Sequence, residues 1–374
     1  MSAVRLVMGI AGIGLATACG TAASAADGPA AAPAATSQNA TSQNATSPSG
    51  TISEAGSTLL EPLMQKWATA YHQQYPGATV NVASPGGGST KGITDAENGS
   101  VAIGASDAYL SSGDLLQHPS LLNIPLAVSA QSVIYNLPSL QGTHINLNGM
   151  VLAGMYNGSI TTWDDPAIRA LNPGVSLPPT RVVPVHRSTG SGDTFIFTSY
   201  LSTQDPAWSQ HVGYGTQVAW SPLATAQAVS SSTTMISTCA RFAGCIGYNG
   251  ISYLPLEQAK GLGEAALENS RGNFEIPSAT TIDAELNDFV GITPDNETIS
   301  MIAGPAPGGY PIINFEYAIV TTSQPSAGRA TAVRDFLNWV VSSSSALSLV
   351  GSVGFQPLPG DVRQLSLDQI ARIH

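Results

Sequence analysis

Arg187 stands in the stretch HRSTGSGDTF, His186 to Phe195, among the hydroxyls of Ser188, Thr189, Ser191 and Thr194, with Gly190 and Gly192 between them. These residue types suit an oxyanion. A guanidinium is a two-pronged donor, hydroxyls add further donors, and glycines let backbone amides come close. The stretch follows the apolar-leaning run Arg181–Val185 and precedes IFTSYLS, which can begin a helix. The first amides of such a helix have no intrahelical acceptors and face outward with the positive end of its dipole. A plain strand-to-helix turn with a serine cap has the same composition.

Two more stretches share this grammar. EAGSTLLEPLMQKW puts Gly56, Ser57 and Thr58 at the start of a helical pattern, with Pro62 early enough to be tolerated. SPGGGSTKG puts Ser89 and Thr90 at the start of another. Lys91 follows that Ser-Thr pair rather than preceding it, so this is not the phosphate loop of a nucleotide hydrolase. VAIGASDAYL runs a strand into Ser106-Asp107, an aspartate where open α/β sheets bind ligands. Each stretch taken alone is explained as well by a cap or a turn.

The elements that must position these residues follow from periodicity. Thr79–Ala83, Val101–Gly104, Gln131–Asn136, Arg181–Val185, Ile246–Tyr253 and Ile312–Thr321 read as strands alternating with helical stretches, which predicts an α/β architecture. Leu59, Leu63, Trp67, Ala70 and Tyr71 recur at helical spacing after Ser57, and Ala332–Val341 reads as a late helix. At 374 residues the chain exceeds what one core usually supports, so two domains are expected.

Composition narrows the partners. A hydrophobic share of 43% with only 10% charged residues suits an exported globular protein. A formal net charge of −11 argues against nucleic acid, whose phosphates would meet a repulsive field. An acidic protein can still hold an anion with backbone dipoles and one or two placed arginines.

Arg5, the apolar run Leu6–Leu15 and the small residues before Cys19 form the pattern of a secretory signal, too short to span a bilayer. Cys19 resembles the cysteine of a bacterial lipobox, which would be lipidated and become the mature N-terminus. Ala16 stands where a leucine is common, and an ordinary signal cut between Ala23 and Ala26 is the alternative. Residues 20–50 are Ala, Ser, Thr, Pro, Asn and Gln, with TSQNA in tandem, and read as a tether. The Asn39 and Asn44 sequon matches are compositional. Cys239 and Cys245 remain as a pair around a short loop and read as a disulfide of an oxidising compartment. No histidine lies near them, so no metal site is expected.

Taken together, AGSTLLEPL, GASDAYL, MYNGSITTWDDPAIRALNPG and HRSTGSGDTFIFTSYLS, with the late PIINFEYAIV, resemble in order and separation the phosphate-binding lipoproteins of bacterial phosphate ABC transporters. The likeness runs from about Thr51 to the C-terminus, and LNPG and GPAPGGYPIINFEYAIV point to the actinobacterial, mycobacterial branch.

The resemblance implies a periplasmic-binding-protein-like fold of type II, two α/β lobes joined by two hinge strands with the ligand in the cleft. The expected organisation is a signal over 1–18, a lipidated Cys19 and tether over 19–50, lobe I from 51–129 plus 314–374, and lobe II from 130–313. It implies phosphate contacts at Ser57, Thr58, Leu59 (through its amide), Ser89, Asp107, Arg187, Ser191, Gly192 and Asp193, the last two mainly through backbone amides or local hydrogen bonds. It also implies high-affinity capture of inorganic phosphate outside the cytoplasmic membrane and delivery to an ABC permease and its ATPase, with membrane attachment through the lipid. No cofactor, metal or nucleic acid is expected. Thr189 stands where the family often has an aspartate paired with the arginine, which leaves the orientation of Arg187 open.

Asp107 sets the expected selectivity. A carboxylate against an anion repels it unless the ligand brings a proton: hydrogen phosphate can donate to Asp107, whereas sulfate would leave two acceptors face to face. A receptor for another tetrahedral oxyanion, such as sulfate, thiosulfate or molybdate, is the alternative that Asp107 opposes. A phosphatase-like or serine hydrolase working through Ser191 and His186 would need a base or metal beside its nucleophile. No complete G-x-S-x-G elbow occurs.

Overall fold

A computed structural model describes residues 47–374. The expected signal sequence, Cys19, the sequons and nearly all of the tether lie outside the described residues.

The strands are β1 (Gly50–Gly56), β2 (Ala78–Val82), β3 (Ile103–Ser106), β4 (Leu121–Tyr135), β5 (Asn146–Leu147), β6 (Val183–Arg187), β7 (Gln227–Val229), β8 (Cys245–Gly250), β9 (Gly263–Glu264), β10 (Ala266–Glu268), β11 (Phe274–Glu275) and β12 (Ile313–Thr321). One sheet runs in the order β2-β1-β3-β12-β4-β8-β6-β7, with β9 also on β4, and a small sheet runs β11-β10-β5. β1 pairs in parallel with both β2 and β3, and β6 with both β7 and β8. β4 and β12 run antiparallel between these two parallel groups.

β4 is the longest strand, 15 residues, and is buried at every position. Its sequence, LLNIPLAVSAQSVIY, is a near-continuous apolar run, as burial on both faces requires. The sequence pattern predicts only its last third, because Asn123, Pro125 and Ser129 break the run. Two of the three are satisfied polar groups: Asn123 accepts from the Leu110 amide at 3.2 Å, and Ser129 donates to Asn314 at 2.8 Å. Pro125 lies where the β4–β12 register shifts and Leu126 becomes the extra residue, a bulge at which a missing amide is tolerated. From Leu121 to Ala130, β4 pairs with β12, and from Gln131 to Tyr135 it pairs with β8.

The first helix spans Glu61–Gln74 and buries Leu63, Met64, Trp67 and Tyr71. It starts later than its pattern suggests. Ser57–Leu60 form a turn in which the Ser57 hydroxyl accepts from the Leu59 and Leu60 amides, both at 3.0 Å. The second helix, Ser89–Glu97, begins at the expected serine. The late helix is longer than predicted, Ala327–Ser342, and buries Val333, Phe336, Leu337, Val340 and Val341. β8 stops at Gly250 rather than continuing to Tyr253, and Ile251–Tyr253 form a 3-10 turn. Cys239 and Cys245 form the expected disulfide, tying the helix Ser232–Arg241 to the start of β8.

Candidate functional site

Three strand ends converge. β1 ends at Gly56, whose φ of +141° and contact with the Ala105 backbone leave no room for a Cβ. That close approach sets the Ser57–Leu60 turn against the carboxyl end of β3. There the Ser57 hydroxyl donates to Asp107 Oδ1, and the Asp107 amide donates to the Ser89 hydroxyl at 3.1 Å.

The carboxyl end of β6 delivers Arg187 from the other side. Its Nη1 donates to Asp193 Oδ2 at 2.8 Å and to the Thr58 hydroxyl at 3.1 Å. Its Nη2 donates to the Ser230 carbonyl at 3.0 Å, and its amide donates to the Tyr248 hydroxyl at 3.0 Å. Nε has no acceptor among the described residues. The guanidinium and its carboxylate partner are both about 1% exposed. An ion pair that deep fixes geometry more than it stabilises the fold, because desolvation offsets the attraction.

The helix Gly192–Gln204 starts directly after Ser191. A Cβ on Gly192 would overlap the Asp107 carboxyl and the Ser89 hydroxyl, so this helix start lies tight against the β3 end and the second helix. Asp193 is held from below by the Gln131 amide, which donates to its carbonyl at 2.9 Å and to Oδ1 at 3.2 Å.

The nine residues expected at the site thus form one contiguous buried group: Ser57, Thr58, Leu59, Ser89, Asp107, Arg187, Ser191, Gly192 and Asp193. Two of them act differently from a simple donor list. The Leu59 amide is engaged by the Ser57 hydroxyl, and its side chain packs on Gly250. Asp193 contributes a carboxylate, and with it the counter-ion of Arg187. Thr189 is only a weak neighbour, its hydroxyl 3.4 Å from Nη2.

Several participants carried no flag in the sequence reading. Ser232 opens the helix Ser232–Arg241, and its hydroxyl lies 2.8 Å from that of Thr58. The run SSSTT has the hydroxyl-at-helix-start grammar that singled out the other stretches, so this signal was available. Ser252 and Tyr253 grip the Leu59 and Thr58 carbonyls, each at 2.8 Å. Gln131 and Tyr248 had no pattern to mark them.

Charge is unevenly placed. Asp107 is raised to about 7, first by burial and then by the neighbouring Asp193, with hydrogen bonds from Glu316 and Ser57 and the Arg187 charge acting the other way. Burial also raises Asp193, and Arg187 opposes it. His186, the base a hydrolase would need, sits against its own chain: its Nδ1 lies 3.1 Å from the Arg187 carbonyl, and its ring stacks on Trp220 at 4.9 Å.

The family model described as the PBP superfamily domain matches residues 36–344. The phosphate-binding protein PstS of Methanocaldococcus jannaschii is 30% identical over 345 residues, covering 86% of each chain. The phosphate-binding protein PstS3 of Mycobacterium bovis is 30% identical over 326 residues, covering 84% of each. Among solved structures, a phosphate-binding protein from Stenotrophomonas maltophilia superposes with a TM-score of 0.66 at 18% identity, covering 86% of this chain and 94% of that one, a likeness of fold. The mixed α/β sheet, the match over most of the length and the 30% identity to a full-length relative agree, and the chain belongs to the PBP superfamily and, within it, to the PstS family of phosphate-binding proteins.

Proposed function

We propose that this protein binds inorganic phosphate outside the cytoplasmic membrane and hands it to an ABC permease for import. The observation that carries the reading is Asp107: a buried carboxylate set among the donors of Ser57, the Ser89 helix start, Arg187 and the Gly192 helix start. Helix-start amides, hydroxyls and a guanidinium stabilise a desolvated oxyanion. A lone acceptor among them selects an anion that still carries a proton.

Ligand contacts are assigned to Ser57, Thr58, Ser89, Asp107, Arg187, Ser191 and Gly192, with Leu59 closing the turn and Asp193 orienting the arginine. Residues 51–129 plus 314–374 form lobe I and 130–313 form lobe II. The exchange of β12 for β8 along β4 between Ala130 and Gln131 supports that division. Two crossing strands permit hinge closure. Cys19 carries the lipid that holds the protein at the membrane, with residues 20–50 as tether. The protein is a receptor rather than an enzyme, a reading supported by the engagement of His186 with its own carbonyl and Trp220 instead of Ser191.

Calorimetric titration with phosphate and with sulfate, at one pH and fixed salt, tests the reading. Asp107→Asn removes the acceptor and offers a donor, so phosphate should weaken and sulfate strengthen relative to it. An unpaired acceptor costs about 1 to 3 kcal/mol, so the ratio of dissociation constants should move roughly ten- to a hundredfold. A variant that keeps the wild-type preference for phosphate over sulfate rules out Asp107 as the discriminating group.

A further inference from the structure

Glu316 is an isolated acid in the middle of β12, between Phe315 and Tyr317, and is fully buried. β12 pairs antiparallel with β3 so that Tyr317 lies opposite Ser106. One step further in that register sets Glu316 opposite Asp107. On its other side the β4 bulge falls between Glu316 and Tyr317. Bulges re-aim side chains, and here the glutamate is directed to the end of β3.

The partners of Glu316 are unequal. Oε1 accepts from the Asn314 amide on its own strand at 3.0 Å and lies 2.5 Å from the Ser129 hydroxyl on β4, whose single proton it shares with Asn314 Oδ1. The same Asn314 amide reaches the Asp107 backbone carbonyl at 3.3 Å, so one side chain ties the Glu316 carboxyl to the Asp107 main chain. Oε2 has no donor among the described residues. The β3–β12 register and the Asn314 amide bring Glu316 and Asp107 together in one buried site, where each acts on the other's proton affinity. Two carboxylates offer only acceptors, so a hydrogen bond between the two groups requires a proton on one of them. Arg187 cannot substitute for it, being engaged by Asp193.

Of the two groups, Glu316 is the one whose proton affinity is raised more. Burial and the Asp107 charge push it well above the usual carboxylate range, whereas Asp107, relieved by bonds from Glu316 and Ser57, rises only to about 7. The titratable and charged groups around Glu316 and Asp107, the latter just past the end of β3, are Asp193, Arg187 and Tyr253 on the Asp107 side and Tyr317 beside Glu316 on β12.

We propose that Glu316 is a positioning residue for anion selection: as a neutral acid it donates to Asp107, which keeps Asp107 an anionic acceptor facing a ligand that brings its own proton. This rests on the reading of Asp107 given above. Without the donor, burial and Asp193 drive Asp107 to take up a proton itself. A protonated Asp107 donates, and a fully deprotonated oxyanion such as sulfate then finds a partner there. Selectivity is thus set one residue away from the ligand.

The test compares wild type, Glu316→Gln, Glu316→Leu and Asp107→Asn in titrations with inorganic phosphate and inorganic sulfate from about pH 6 to about pH 8. A glutamine keeps both the acceptor for Ser129 and Asn314 and a donor for Asp107, so its phosphate-to-sulfate ratio should stay within about threefold of wild type. Leucine removes the donor, and its ratio should fall by about tenfold or more, most strongly at the acid end. A Glu316→Leu variant with the wild-type ratio at every pH overturns the proposal, as does an equal loss in both Glu316 variants. If Asp107→Asn keeps the phosphate preference, the underlying reading fails and the proposal with it. If only the Glu316→Leu expectation fails, the role of Glu316 alone is overturned. Infrared spectra decide the matter even if the leucine variant does not fold. Wild type at about pH 8 should show a carboxylic-acid carbonyl band that Glu316→Gln lacks, and identical spectra in that region refute a protonated Glu316.

Discussion

Arg187 takes its counter-ion from Asp193, six positions on, rather than from position 189. The deviation at Thr189 therefore leaves the guanidinium oriented. Thr189→Asp would add a second carboxylate to an arginine already paired, which both holds and neutralises it. Phosphate affinity should weaken, by less than about tenfold, or roughly 1.4 kcal/mol. Titration of this variant against wild type checks the expectation, and a loss of several hundredfold would mean that Arg187 is placed differently from what its bonds indicate. Asp193 shows how far a candidate site can be read from a chain: the resemblance placed it among the candidate residues, but its role as the partner of Arg187 was not legible. A helix-start aspartate reads as a cap or an amide carrier, and only the fold brings its carboxylate onto a residue six positions earlier. Glu316 lay in plain view as a lone acid in NFEYAIV, yet nothing local links a strand residue to an aspartate over two hundred positions away.

The helix starts were the most legible elements, because each needs only a few local residues to define it. Ser89 and Gly192 begin helices where hydroxyl and glycine patterns put them. Ser57 begins a turn instead, since its hydroxyl satisfies two amides that a helix would otherwise leave open. β4 was the least legible element, as its polar residues find partners only across strands that are distant in sequence. The helix starts also offer a clean separation of binding from stability. Gly192 is the first residue of its helix, where the backbone is compatible with alanine, while a methyl group there would displace Asp107 and Ser89. Gly192→Ala should therefore keep a melting temperature within about 5 °C of wild type without ligand and lose phosphate affinity by about a hundredfold or more. Thermal melting paired with titration tests this, and unchanged affinity would show that the two helix starts do not need to touch.

Buried acids recur throughout the described residues. Burial raises Glu54, Glu257 and Glu297 to about 8 and Glu264 to about 7. Between the ordinary value of an unfolded glutamate and these raised values, the folded chain holds protons that the unfolded chain has released. Stability should therefore fall as pH rises through that window. Without phosphate, the melting temperature at about pH 8.5 should lie more than about 5 °C below that at about pH 5.5. A flat or rising profile in scanning calorimetry would show that these acids are ionised in the fold. The proposed lipid anchor is tested separately: Cys19→Ala should leave a folded receptor that no longer fractionates with membranes, and membrane recovery at the wild-type level would refute the anchor. Gln131 joins these separate parts. It is the first residue of β4 beyond the switch from β12 to β8, its carbonyl receives the Tyr310 hydroxyl at 2.7 Å, and its amide grips Asp193. The residue at which β4 changes partner therefore also supports the carboxylate that orients Arg187, so a shift in strand pairing at that point reaches the ion pair through one side chain.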